Sequence, residues 1–477
     1  MRRNVMSPVL AAILTFNVFF VFPLAAQNLE IKTSPVQLAD KVPAILYEPV
    51  NPAEKSHIAV FVMHMGVDYL HFSACTELSR RGYRVLCANN SVGSGSNKDG
   101  IDRKLLDAKL GVAYLRKDPE VKKIVLLGHS GGGMLMSTYQ NIAENGLSAC
   151  QGPEKIMKCS DYLAGLPPAD GIMLLDAHWG DGISNLLFGM SPSMTNEVSA
   201  DLDPRSSKNG YSAGGAKYSD EFLRRYQTQI AKKMNVMIED ALAKWAAISA
   251  DKSGTHDSDL YAIPGGMGTK LESVDTHLLS HTHSAWPLLH PDGSITTQIV
   301  YSVRPVGGMG MGALGGQRDP GGQGGQGGPG QGQVRQVQNQ VGPSGQGGAG
   351  QQHTLHEFLN TYAVRVTGDF AYGEDYVQGV DWASSYANPP GNVKGIKVPL
   401  LTMGMTGSYE YLSAELNYQN ARSADKTIAF VEGASHGFST CTQCERIPGQ
   451  YGDTQKTLYD YIDKWLSQKG RFLAGGQ

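Results

Sequence analysis

Between residues 58 and 175, short apolar runs alternate with amphipathic segments. Ile58–Met63 (IAVFVM) is apolar throughout, as a strand covered on both faces must be. Phe72–Arg81 has helical spacing, and Arg84–Ala88 (RVLCA) is a second strand. Ile101–Arg116 repeats apolar residues at helical intervals. Val121–Leu127 predicts a third strand, Gly133–Glu144 a helix and Gly171–Leu175 a fourth strand. Strands that alternate with helices specify an α/β fold with a mainly parallel sheet. The pattern resumes at Val398–Met403 and Thr427–Val431, and a last helix is expected over Thr454–Ser467. Two short extended runs, Leu29–Thr33 and Val42–Tyr47, precede the alternation.

Between these blocks the alternation lapses. Ser219–Ala250 predicts a long amphipathic helix, Trp286–Val303 a hairpin turning at Pro291-Asp292-Gly293, and Leu355–Val366 a further helix. Nineteen of the 58 glycines fall between Gly307 and Gly350. The Gly/Gln-rich tract 307–352 has almost no large apolar side chains to offset its ordering entropy, so it is expected to be disordered. The expected division is a core over 27–180 and 393–477, interrupted by a cap-like insertion over 181–392.

The N-terminus begins with Arg2 and Arg3, continues as an apolar run from Val9 to Ala26 and turns polar at Gln27. A basic start, an apolar centre and small residues at the end describe a signal peptide over 1–26, and hence a secreted or periplasmic protein. Export permits disulfides. Cys150 with Cys159, and Cys441 with Cys444, are close enough in sequence to bridge, whereas Cys75 and Cys87 read as small buried hydrophobes. A net charge of −3, from 41 basic and 44 acidic residues, argues against a nucleic-acid partner or a polybasic membrane patch. No later run approaches the ~20 apolar residues of a membrane helix, so no stable span is expected once the signal is removed.

The chemistry concentrates where the third strand meets its helix, at Gly128-His129-Ser130-Gly131-Gly132. A serine on such a strand–turn–helix junction has its hydroxyl held out at the top of the sheet, with a helix N-terminus behind it to favour developing negative charge. Serine needs a base. Phe430–Phe438 places His436 on the loop after the last strand, the position expected for one. An acid must orient the imidazole. Glu410, the first carboxylate after Val398–Met403, is the choice, with Glu415 and Asp176 as alternatives. Oxyanion donors are expected from the backbone N–H of Gly131 and from Met65 or Gly66 in the loop after the first core strand.

The order Ser130, acid, His436 on this alternation resembles the α/β-hydrolase superfamily over about Ile58–Ala177 and Val398–Leu466. MHMGVDYLHF at Met63–Phe72, with GHSGGG and VEGASH, is similar to bacterial esterase- or lipase-like hydrolases. The resemblance implies an α/β-hydrolase fold with a cap. It also implies cleavage of small-molecule or lipid-like carboxylic esters through an acyl-enzyme, without cofactor or metal. Two positions depart from the family pattern. Gly407 and Ser408 stand where an aspartate is usual, and Met65 follows His64 where glycine is usual.

Other signals are weaker. Asp275, His277, His281 and His283, with His290 nearby, read as a polar loop rather than a metal site. His178 and Trp179 follow the fourth strand, where they can border a site. Trp286, Leu288 and Leu289 are candidates for the underside of the cap.

Overall fold

The computed structural model describes residues 29–39, 41–93, 98–190, 201–212, 214–250, 261–263, 271–306 and 351–474. The segment 1–26, expected to be a signal peptide, lies outside the described residues, as does the Gly/Gln tract up to residue 350.

Ten strands form one sheet: β1 (Ile31–Ala39), β2 (Val42–Pro49), β3 (Ile58–Met63), β4 (Arg84–Ala88), β5 (Lys123–Ser130), β6 (Gly171–Ala177), β7 (His281–Leu289), β8 (Ile295–Tyr301), β9 (Leu400–Met405) and β10 (Lys426–Val431). Their spatial order is β1-β2-β4-β3-β5-β6-β9-β10-β7-β8. The stretch from β4 to β7 is parallel, while β1, β2 and β8 pair antiparallel with their neighbours. The main helices are α1 (Ser73–Arg80), α2 (Ile101–Lys117), α3 (Gly131–Asn145), α4 (Asp220–Ser249), α5 (Ser413–Asn420) and α6 (Thr454–Leu466).

The apolar runs are explained by cover on both faces. On β3, Ala59, Phe61 and Met63 pack against α2 and α3, while Ile58, Val60 and Val62 pack against α1 and α6. On β5, Ile124 and Leu126 join the first of these cores, and Val125 and Leu127 the second. The period of two along a strand sends successive side chains to opposite faces, so a strand buried on both must be apolar at every position.

Two expectations change. Cys75 of α1 and Cys87 of β4 are not separate thiols but a disulfide, with Cα atoms 6.2 Å apart. Packing of α1 on β4 brings them together across one face of the sheet. The pairs Cys150–Cys159 and Cys441–Cys444 are also bonded. Secondly, the helix expected over Leu355–Val366 stops at Tyr362, and Val366–Tyr372 is extended and paired with Val377–Val380. Val364, Val366 and Thr367 are β-branched and fit that extended course better.

The hairpin read from Trp286–Val303 begins earlier, at His281, and joins the main sheet. Leu288 pairs with Phe430 and Leu289 with Val431. Trp286, Leu288 and Leu289 therefore build the end of the sheet. Trp286 donates its indole N–H to Glu415 Oε1 at 2.7 Å. Glu415 also accepts the backbone N–H groups of His283 (2.8 Å) and Ser284 (2.9 Å), so this buried carboxylate ties β7 to α5. Elsewhere, residues 355–392 dock at the start of α2, where Tyr386 Oη donates to Asp102 Oδ1 (2.8 Å) and Ile101 N donates to Thr361 Oγ1 (3.1 Å). α2 starts beyond the carboxyl end of β4, so this part of the chain lies at the same sheet edge as Ser130.

Candidate active site

Ser130 ends β5 with φ 54° and ψ −133°, and α3 begins at the next residue. A non-glycine residue in this region carries backbone strain of about 1–3 kcal/mol. The turn is so tight that Gly128, Gly132 and Gly133 have no room for a side chain. A Cβ on Gly128 would lie 2.6 Å from the Gly132 carbonyl oxygen, and one on Gly132 would lie 2.7 Å from that of Met63. A Cβ on Gly133 would collide with Ala177 of the adjacent strand.

His436 lies on the loop after β10 and is fully buried. Its Nδ1 is 2.6 Å from Asp176 Oδ2. Asp176 sits at the end of β6 with φ 45°, and its other oxygen accepts the backbone N–H of Met405 at 3.1 Å. Glu410, the acid expected from the sequence, is farther from the same nitrogen, with Oε2 at 3.7 Å, and its Oε1 is 3.6 Å from His178 Nε2. The carboxylate that hydrogen-bonds His436 is therefore Asp176, and Glu410 stands behind it as a second buried acid. Glu415 is occupied on β7. A carboxylate at Nδ1 fixes the proton there and leaves Nε2 as the acceptor.

His129, the residue before the serine, holds the loop of His436 in place. Its Nε2 is 2.6 Å from the His436 carbonyl oxygen, which can only accept, so Nε2 carries the proton. Its Nδ1 then accepts from Tyr69 Oη at 2.5 Å. Burial first, and then the neighbouring His436, hold the His129 pKa well below the usual histidine value. Burial, with Glu410 nearby, raises the Tyr69 phenol, which keeps it a donor. The rings of His129 and His436 lie 4.6 Å apart between centroids. In the sequence His129 is only the variable residue of the serine motif, and Tyr69 is one residue of the Met63–Phe72 run. No local pattern marks either role.

Among the described residues, His129, Asp176 and His436 are the group whose ligating atoms converge, all within 4.8 Å. Their nitrogens and oxygens are largely spent on one another and on Tyr69 and Met405, as a hydrogen-bonded relay rather than a cation cage. His277, His281 and His283 face three different carboxylates, Asp275, Glu374 and Asp375, and do not converge.

The expected oxyanion loop lies against the elbow. A Cβ on Gly131 would be 3.3 Å from Met65 Cβ. Gly131 opens α3, so its N–H has no intrahelical acceptor. Of the two expected backbone donors, the Gly66 N–H is already committed to His64 Nδ1 at 3.0 Å. Asn90 Nδ2 clamps the loop by donating to the carbonyls of His64 and Met65, both at 2.9 Å. His178 borders the site: its N–H donates to the Ser130 carbonyl at 2.9 Å.

A parallel sheet with an antiparallel second strand, the order 1-2-4-3-5-6, and a serine elbow after β5 define the α/β-hydrolase fold. No family model matches the chain, and no curated protein matches it in sequence. Solved structures similar to it include the siderophore hydrolase EstB from Aspergillus fumigatus, 10% identical over 94% of this chain and 99% of that one, with a TM-score of 0.38. Another is Est1E from Butyrivibrio proteoclasticus with ferulic acid bound, 9% identical over 89% and 94%, with a TM-score of 0.36. A third is the hypothetical protein PA2218 from Pseudomonas aeruginosa, 14% identical over 94% and 95%, with a TM-score of 0.35. These likenesses are too distant to bear on activity.

Proposed function

We propose that this protein is an exported serine hydrolase that cleaves carboxylic esters through an acyl-enzyme. The observation that carries the reading is the hydrogen-bonded pair Asp176–His436 set beside the strained serine elbow at Ser130. Ser130 Oγ attacks the acyl carbonyl while His436 Nε2 takes its proton. The tetrahedral oxygen is held by the N–H groups of Gly131 and Met65. His436 then protonates the departing alkoxide, and water, activated by the same nitrogen, releases the acid and restores Ser130. Asp176 keeps the imidazole in the required tautomer and stabilises it when protonated. Every step is an acid–base or nucleophilic step on side chains present in the chain.

Export is supported by the signal-like residues 1–26 and by three disulfides, which persist in oxidising compartments. No described helix is long and apolar enough to cross a membrane. Parts of the 181–392 segment form the cap of this reading, because residues 355–392 lie at the carboxyl edge of the sheet, where ligands bind in open α/β folds. A fluorophosphonate probe tests the proposal: wild type labels at Ser130, and p-nitrophenyl esters of graded chain length are hydrolysed. Absence of both labelling and turnover would reduce the chain to a hydrolase-like binding protein.

A further inference from the structure

We propose that the side chain of His64 is a third oxyanion donor, its Nε2–H bonding the tetrahedral oxygen beside the N–H groups of Gly131 and Met65. The inference rests on the serine-hydrolase reading and adds a catalytic residue to it. Backbone amides alone made up the oxyanion site expected from the sequence.

The tautomer follows from two hydrogen bonds. His64 Nδ1 accepts the backbone N–H of Gly66 at 3.0 Å and that of Val67 at 2.9 Å. A ring nitrogen that accepts two N–H groups is unprotonated, so the proton of the neutral imidazole sits on Nε2. Burial, then the nearby His178, His436 and Lys104, push the pKa of His64 down to about 3. The ring therefore remains neutral near pH 7, a donor at Nε2 that brings no charge into the site. A neutral imidazole is an effective partner for a developing oxyanion, since the bond strengthens as the oxygen charges.

The position follows from the elbow. A Cβ built on Gly131 would meet His64 Nε2 at 3.1 Å and Cε1 at 3.2 Å. The imidazole edge thus faces the residue whose N–H is the first oxyanion donor, and glycine there leaves the approach open. His64 is only 8% exposed, and both of its ring hydrogen bonds to described residues are made at Nδ1. A donor held beside the first turn of α3, with its other nitrogen locked, is pre-organised for an oxygen that arrives only during reaction. Tyr69 backs the ring at 4.7 Å between centroids, and Asn90 holds the His64 carbonyl, so the donor does not have to move.

The test separates the two nitrogens. In His64→Asn, the amide oxygen can replace Nδ1 as acceptor for Gly66 and Val67, but no donor reaches Gly131. The expected result is a fall in kcat of roughly 10²–10³, the cost of one oxyanion donor, with KM and melting temperature close to wild type. A kcat equal to wild type would overturn the proposal. Because the variant could also disturb the loop, a second measurement uses wild-type protein labelled with ¹⁵N-histidine, free and as its fluorophosphonate adduct. The His64 Nε2–H resonance should move downfield when the phosphonyl oxygen occupies the oxyanion site. If Ser130 labels and that resonance does not move, the proposal falls while the hydrolase reading stands. If Ser130 does not label, both fall.

Discussion

Asp176 and His436 meet through a 2.6 Å hydrogen bond although 260 residues separate them. The contact follows from sheet register. Leu175 on β6 pairs with Met403 on β9, and Met403 pairs with Ala429 on β10. Three adjacent parallel strands end at one edge, so the acid, the loop bearing Glu410 and the loop bearing His436 converge. Either β6 or β9 can supply the acid from there. The hydrogen bond is made from β6, and the β9 loop adds Glu410 at 3.7 Å.

Asp176→Asn is expected to lower kcat by about 10⁴, because an amide at that position no longer enforces the productive tautomer. Glu410→Gln should cost far less. Steady-state kinetics of the two variants on one ester decide the matter, and the reverse ranking would return the orienting role to Glu410.

Ser130→Ala should leave only the catalysis of the oxyanion site and binding, roughly 10³–10⁴ over water, with the circular dichroism spectrum unchanged. Since alanine is no easier at φ 54° than serine, its melting temperature should stay near wild type. Turnover comparable to wild type would remove Ser130 from the mechanism.

Gly132→Ala tests the elbow sterically. The added methyl would stand 2.7 Å from the Met63 carbonyl oxygen, which is strand backbone and cannot step aside cheaply. A loss of about 1–3 kcal/mol in stability, together with activity, is expected from such overpacking. Urea denaturation and ester turnover report the two effects, and an unperturbed variant would mean that the β3–α3 contact is looser than described.

Glu415→Gln should separate a structural acid from Asp176 and Glu410, which face His436. Gln can keep one acceptor but loses the charge that serves His283 N, Ser284 N and Trp286 Nε1. Destabilisation of about 1–3 kcal/mol is expected, with kcat of the folded fraction unchanged. A large fall in kcat at full stability would contradict this assignment.

Stability should fall on acidification. His64, with its pKa pushed down to about 3, and His129, held well below its ordinary value, are both buried and neutral in the folded protein. Their unfolded counterparts take up protons from about pH 6.5 downward. The unfolded state thus binds more protons below that pH. The contribution is complete above it and is lost as the pH falls toward the folded-state values. For His64 alone the loss amounts to a few kcal/mol at about pH 4, at roughly 1.4 kcal/mol per unit. Urea midpoints between about pH 7.5 and pH 4 measure it, and His64→Asn should show a shallower decline.

Short windows of the chain carry whatever local chemistry encodes. Doubly covered strands must be apolar at every position, so β3, β4 and β5 were legible as IAVFVM, RVLCA and the run ending at Leu127. The strand–turn–helix junction at Ser130 was legible from the glycines of GHSGGG, because Gly128, Gly132 and Gly133 have no room for a side chain, and the loop bearing His436 from its place after the last core strand. The rest depends on contacts between distant parts of the chain. Strand order and register, which no short window contains, set Asp176 rather than Glu410 against His436 and carried the hairpin 281–301 onto the end of the sheet. Helix-on-sheet packing joined Cys75 to Cys87, and the fold of the β3 loop turned His64 Nε2 toward Gly131. Each is a contact between groups distant along the chain or a side-chain direction set by a loop. Neither leaves a periodicity in the sequence from which it can be read.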